Sequence, residues 1–237
     1  MQNIKSIIFD YGGTLDTGGR HWFDVIFRAC RHSGVDVSRE NLYKAYVFAE
    51  RQLAVPGRVG VDMSFHDLVV LKIQIELGWL ANEGYISWDE AEQGVAMTVA
   101  ECVDVAERSI EAVKPHLERL ATKYPLAMAS NFYGNLDCVL RQNGLRGCFR
   151  SVLDSATVGV RKPGSAIFRM ACIALGSKPC ETLVVGDSVK NDILPALEIG
   201  CPTVLLAPDC EGAVKEAYPD LDLSQTHIVK SIAEINL

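Results

Sequence analysis

A chain of 237 residues, 49% of them hydrophobic, is long enough to enclose a sizeable core as one large domain or two unequal ones. Its formal net charge of −7 argues against a general affinity for nucleic acid, which needs a basic face, but leaves a phosphorylated small molecule open, because a bound metal inverts the local field. No apolar run reaches the ~18 residues of a membrane span, and the cysteines at 30, 102, 138, 148, 172, 180, 201 and 210 form no C-x-x-C pair, so they read as small thiols in a reducing compartment.

In chain order, residues 4–9 read as a short buried strand, entered with no basic leader before it. The strand ends in a carboxylate, Asp10, followed by Tyr11, Gly12, Gly13, Thr14 and Leu15. From about 20 to 108 every element reads as helical. Trp22, Val25, Ile26 and Ala29 recur at helical spacing; Ser38 opens a second amphipathic run that Pro56-Gly57 stops. A third helix is predicted over 64–77, ending at Gly78. Ser87 and Glu90 form a capping box for a fourth, through Val103.

After about 113 the texture changes to alternating strand and helix. Strands are expected at 125–129, 152–153, 183–185 and 203–206, with a last edge strand at 227–229. Helices are expected at 136–142, at 166–175 opened by Pro163, and at 193–199 closed by Gly200. This alternation predicts an α/β fold: a Rossmann-like parallel sheet with helices on both faces, and an all-helical domain inserted after the first strand.

Four polar clusters fall at predicted strand ends or in the loops beyond them. They are Asp10 with Thr14; Ser130-Asn131; Arg161-Lys162-Pro163; and Gly186-Asp187-Ser188 with Asn191-Asp192. In a parallel sheet such ends share one edge. An aspartate nucleophile, hydroxyls, a lysine and further aspartates around one cavity suit phosphoryl transfer. Carboxylates hold a hard cation, while the lysine and hydroxyls position the phosphate. Each cluster alone is an ordinary turn or helix start; their order and spacing together are specific.

Those residues resemble the four motifs of the haloacid dehalogenase (HAD) superfamily. Asp10-Tyr11-Gly12-Gly13-Thr14-Leu15 is similar to motif one, Ser130 to motif two, Lys162 to motif three, and Gly186-Asp187-Ser188-Val189-Lys190-Asn191-Asp192 to the magnesium-binding form of motif four. The resemblance implies a core of residues 1–16 and 110–237 and a helical C1 cap of 17–109. It implies that Asp10 attacks phosphorus and becomes an aspartyl-phosphate. Gly13, Thr14, Ser130, Asn131 and Lys162 would then bind the transferring group. Asp10, Asp187, Asp192 and the backbone carbonyl of Gly12 would hold Mg2+. The implied protein is a cytoplasmic phosphohydrolase of a small phosphorylated metabolite, monomeric or homodimeric, with no nucleic-acid or membrane partner.

The chain departs from that pattern at Gly12, where the phosphatases of the superfamily carry a second aspartate. That residue protonates the leaving alcohol and later deprotonates water. Its absence removes ~10²–10⁴-fold in rate, or roughly 3–5 kcal/mol. Four readings remain open. Asp16 or His21 substitutes; the substrate has a good leaving group; the chemistry differs; or the protein binds a phosphorylated ligand with little turnover. Different chemistry includes C–P hydrolysis as in phosphonoacetaldehyde hydrolases, through a Schiff base at Lys44 or Lys72.

Overall fold

Ser6–Phe9 forms strand β1, with all four side chains enclosed. The structure, a computed structural model, describes residues 3–208, 218 and 224–237. After β1 come four helices: α1 (Trp22–His32), α2 (Arg39–Leu53), α3 (Phe65–Asn82) and α4 (Trp88–Ala121). Then strand and helix alternate: β2 (Leu126–Ser130), α5 (Leu136–Gln142), β3 (Phe149–Asp154), α6 (Ser155–Val158), α7 (Ala166–Leu175), β4 (Thr182–Gly186), α8 (Leu194–Glu198), β5 (Thr203–Leu206) and β6 (Thr226–Val229). Cys210 lies outside the described residues; the other cysteines are free thiols, mostly buried.

Among the described residues the strands form one parallel sheet in the order β3-β2-β1-β4-β5-β6. The period-2 alternation of side chains divides the interior. Ile7 and Phe9 of β1, Leu126 and Met128 of β2, and Leu183 and Val185 of β4 enter one core, against α4 and α5. Ile8, Ala127, Ala129 and Val184 face the other way, against α7 and α8. Strands buried on both faces explain the continuous apolar runs in the sequence.

The helices α1–α4 build a separate apolar cluster, including Ile26, Ala29, Leu42, Ala45, Ile73, Leu77, Leu80 and Cys102. Serine caps start three of them. The Ser38, Ser64 and Ser87 side chains accept from Asn41, Asp67 and Glu90 backbone N–H groups, and Ser87 and Glu90 complete the expected box. Leu53, Val59 and Leu68 instead pack into the sheet-side core, so the helical layer rests on the sheet.

Two helices outrun their predicted ends. α3 continues past Gly78 to Asn82, because Leu80 and Ala81 extend its buried face. α4 runs to Ala121 through Pro115. A proline inside a helix costs about 3 kcal/mol, but Ile110, Val113, Leu117 and Leu120 keep the helical period and bury against the sheet, each worth roughly 1.5–3 kcal/mol. The expected 109/110 boundary therefore falls within one continuous helix. The predicted 193–199 helix is α8, Leu194–Glu198, and a π-helical turn over Val189–Ile193 leads into it.

Candidate active site

β2, β1 and β4 are neighbours, so their carboxyl ends stand a strand spacing apart. Asp10 follows β1, Ser130 ends β2 and Asp187 follows β4. The strand order reverses direction at β1, the position where open α/β sheets leave a crevice. The Asp10 N–H donates to the Val185 carbonyl (2.9 Å), extending the ladder to Asp10.

Lys162 arrives from the loop between α6 and α7. Asn131 holds it there through a reciprocal pair: Lys162 N–H to Asn131 Oδ1 and Asn131 Nδ2 to the Lys162 carbonyl, both 2.9 Å. The Lys162 ammonium then donates to Asp10 Oδ1 and Asp192 Oδ1, each at 2.6 Å, and is buried. Burial alone would lower its pKa; the two carboxylates outweigh burial and raise it, so the lysine is charged.

Oxygens of Asp10, Asp187 and Asp192 lie within 4.8 Å of one another. Three carboxylates facing one ammonium leave excess negative charge. Burial, then the Asp10 and Asp192 charges, push Asp187 well above the usual carboxylate range. Asp192 is raised to about 6, chiefly by burial, with the Lys162 charge opposing. A compact, electrostatically undercompensated set of hard oxygen donors fits a divalent cation such as Mg2+. Two glycines permit the crowding. A Cβ at Gly13 (φ +92°) would lie 2.5 Å from Asp187 Oδ2, and one at Gly186 would lie 2.4 Å from Asp192 Cγ.

The cavity above this centre measures about 350 Å³ and is lined by both layers of the molecule. Of the sequence-predicted residues, Asp10, Gly12, Gly13, Ser130, Asn131, Lys162, Asp187 and Asp192 all line it. Thr14 does not; it is enclosed beneath, its hydroxyl 2.9 Å from Asp187 Oδ1 and 3.4 Å from Asp10 Oδ2. Gly12 has no positive φ, and a Cβ there would meet no heavy atom within 4 Å.

Asp16 and His21 also reach the cavity. Asp16 is buried; Oδ1 accepts from Gly13 N–H (2.7 Å) and Oδ2 from Trp22 Nε1 (2.9 Å). Burial nonetheless lifts its pKa to about 7, helped by the Asp10 charge. His21 caps α1, its Nδ1 accepting from Phe23 N–H at 3.1 Å, which places the ring proton on Nε2. Burial lowers its pKa. Of the two lysines considered for a Schiff base, Lys44 is exposed and pairs with Glu40 (2.7 Å). Lys72 is buried at the cavity wall, paired with Glu50 and 3.7 Å from Glu76. Burial opposes its charge, but Tyr133, Glu50 and Glu76 outweigh it and raise the pKa.

Glu50 and Tyr133 are cavity residues that the sequence did not single out. Tyr133 follows Ser130-Asn131 by two positions, but nothing in the helical pattern of α2 tells which of its charged residues turns toward the sheet.

Fold and site together define a doubly wound α/β protein with an acidic, lysine-bridged centre at its switch point, beneath a layer of helices. The chain belongs to the haloacid dehalogenase-like hydrolase family, which it matches over residues 4–200. It is similar to the phosphoserine phosphatase of Thermus thermophilus, 35% identical over 38% of this chain and 37% of that one. It also resembles the haloacid dehalogenase-like hydrolase domain-containing protein 3 of Mus musculus (33% over 46% and 43%) and the phosphoglycolate phosphatase of Chromobacterium violaceum (33% over 48% and 49%). The matches thus span under half the length of these relatives. Among solved structures, the fold is shared with the L-2-haloacid dehalogenase of Xanthobacter autotrophicus (TM-score 0.57, 18% identity, 98% of this chain and 96% of that one). It is shared too with YfnB of Bacillus subtilis, named as a HAD-hydrolase and bound to magnesium (TM-score 0.58, 17% identity, 98% and 97%).

Proposed function

We propose that this protein is a Mg2+-dependent phosphohydrolase of a small phosphorylated metabolite, working through an aspartyl-phosphate at Asp10. The observation that carries the reading is the Lys162 ammonium shared between Asp10 and Asp192 with Asp187 beside them. A pure binding module has no need of a carboxylate so placed. The phosphatase names of several relatives support the same reading.

In this proposal Asp10, Asp187, Asp192 and the Gly12 carbonyl would hold the cation, which when bound would neutralise and orient the phosphoryl oxygens. Ser130 and Lys162 position the transferring group, with the Gly13 and Asn131 loops around it; Thr14 orients Asp187 and Asp10 from below. An Asp10 oxygen attacks phosphorus as the P–O bond to the alcohol breaks. Water then attacks the aspartyl-phosphate, and phosphate leaves with Asp10 restored.

Gly12 cannot exchange protons, so the acid–base group must come from elsewhere. Asp16 is the better candidate. Its carboxyl lines the cavity and titrates at about 7, near the range a general acid needs. His21, neutral with its proton on Nε2, is a hydrogen-bond donor and a poor acid. Asp16 gives its proton to the departing alkoxide and takes one from the attacking water. Lys72, kept charged by its carboxylate partners, lacks the free amine that a Schiff base requires.

We place the helical cap at residues 17–109 and the core at 1–16 and 110–237. The setting is the cytoplasm, as monomer or homodimer, with neither nucleic acid nor membrane as partner; among the described residues no helix is long and apolar enough to cross a membrane. Gly12 also favours a second reading, a phosphorylated-ligand sensor with little turnover. Phosphate release from phenyl and propyl phosphates with Mg2+ separates the two. Asp10→Asn is expected to abolish release from both, and Asp16→Asn to lower propyl phosphate turnover about 100-fold more than phenyl phosphate turnover. Activity indifferent to Asp10→Asn would refute the nucleophile.

A further inference from the structure

The helical wall of the cavity carries a polar array that the chemistry at Asp10 does not use. Glu50, from α2, lines the cavity and keeps 37% of its side chain accessible. Two donors fix it. Tyr133 Oη donates to Glu50 Oε2 at 2.8 Å from the loop after β2, and the Lys72 ammonium donates to Oε1. Lys72 itself is occupied. It pairs with Glu50, lies 3.7 Å from Glu76, stacks 4.1 Å over the Tyr46 ring and has only 10% of its side chain accessible. His21 adds a neutral Nε2–H donor from the same wall, and its ring lies 5.8 Å from that of Tyr46.

We propose that Glu50 is a specificity-determining residue, its anchored carboxylate accepting hydrogen bonds from the hydroxyls of a short polyol or sugar leaving group while His21 donates to the same hydroxyls. The proposal rests on the phosphohydrolase reading and names its substrate class. A hydroxyl both donates and accepts, which is what a carboxylate beside an N–H donor demands. A carboxylate-bearing leaving group meets the Glu50 charge and finds Lys72 already paired. An ammonium-bearing one finds the Glu50 charge already answered by Lys72. A cavity of about 350 Å³ stands at the small end of the ~300–1,000 Å³ usual for ligand sites, room for a phosphate and a few carbons.

The test compares kcat/KM for glycerol 3-phosphate, propyl phosphate and phosphoglycolate, with phenyl phosphate as a general reporter, in wild type, Glu50→Gln and Tyr133→Phe. Wild type is expected to favour glycerol 3-phosphate over propyl phosphate and phosphoglycolate by about 10-fold or more. Glu50→Gln, which keeps the shape and an acceptor for Tyr133, should shrink the glycerol-to-propyl ratio by about 10-fold. Tyr133→Phe, which frees the carboxylate, should shrink it less. A structural role alone would lower all substrates together and leave the ratio fixed, and that result would overturn the proposal. So would a wild type that hydrolyses phenyl phosphate without preferring the polyol. A wild type inert toward every phosphate would instead overturn the phosphohydrolase reading, and this one with it.

Discussion

Gly12 is a single missing side chain with a measurable chemical consequence. Among the described residues nothing around it forbids an aspartate, since its φ is not left-handed and a Cβ would have no neighbour within 4 Å. Gly12→Asp is therefore expected to fold and, in the Asp16→Asn background, to restore alkyl phosphate turnover about 10-fold or more, with a smaller gain on aryl phosphates, whose leaving groups need no acid. Steady-state rates on propyl and phenyl phosphates decide it. Equal gains would mean that protonation of the leaving group does not limit turnover. Glu76 poses a different question at the same scale. It is fully buried on α3, both carboxylate oxygens lack a hydrogen-bond partner among the described residues, and the Lys72 ammonium lies 3.7 Å from Oε1. Burial raises its pKa to about 7. The folded state thus holds a proton that the unfolded chain releases near 4.5, so stability falls as pH rises between those values. Glu76→Gln should remove that slope, gaining up to about 3 kcal/mol relative to wild type between pH 5 and pH 8. Urea unfolding at the two pH values measures it; parallel curves would show that Glu76 is ionised throughout.

At the scale of elements, the turn after β4 does the most positional work. Ser188 caps it by accepting from Asn191 N–H (3.1 Å), and Asp192 Oδ2 accepts from Ser188 N–H (3.1 Å). The π-helical turn over Val189–Ile193 carries Asp192 back over the strand end, so close to Gly186 that no Cβ fits between them. Gly186→Ala is expected to displace Asp192 and raise the Mg2+ concentration for half-maximal activity about 10-fold, with a smaller effect at saturating metal. A Mg2+ titration of phenyl phosphate turnover checks this. The helix N-termini show the opposite economy. Their serine caps are local, each worth ~1 kcal/mol, and the Ser87–Glu90 box was readable from its S-x-x-E spacing without any knowledge of tertiary contacts.

At the scale of the molecule, the cavity exists because a helical layer with its own core leans on a sheet with two others. Tyr133–Glu50, Asn135 Nδ2 to the Met63 carbonyl (3.0 Å) and Trp22–Asp16 tie the layers together around it. Ligands held at this junction stabilise the whole chain by linkage. Mg2+ with tungstate, a phosphate mimic, at 100 times its dissociation constant is expected to add about 2.7 kcal/mol. Asp187→Asn should abolish the Mg2+-dependent part of that gain, as read by the shift in Tm. A full shift in the variant would place the cation elsewhere.

The architecture and the sheet edge that carries the candidate site were written in local pattern. Apolar runs of strand length ending in Asp10, Ser130 and Asp187, alternating with helices, carry their own period, and parallel strands bring their carboxyl ends to one side wherever they occur. Element ends were less legible. α3 and α4 run past Gly78 and Pro115 because distant burial outweighs local propensity, which no short window contains. The cavity wall was legible only in part: His21 and Lys72 stood out in the sequence, Glu50 and Tyr133 did not. Glu50, Tyr133, Lys72 and His21 come from four separate segments, and only the packing of α2 and α3 over the sheet decided which charges meet, which pair off and which one remains turned toward the cavity.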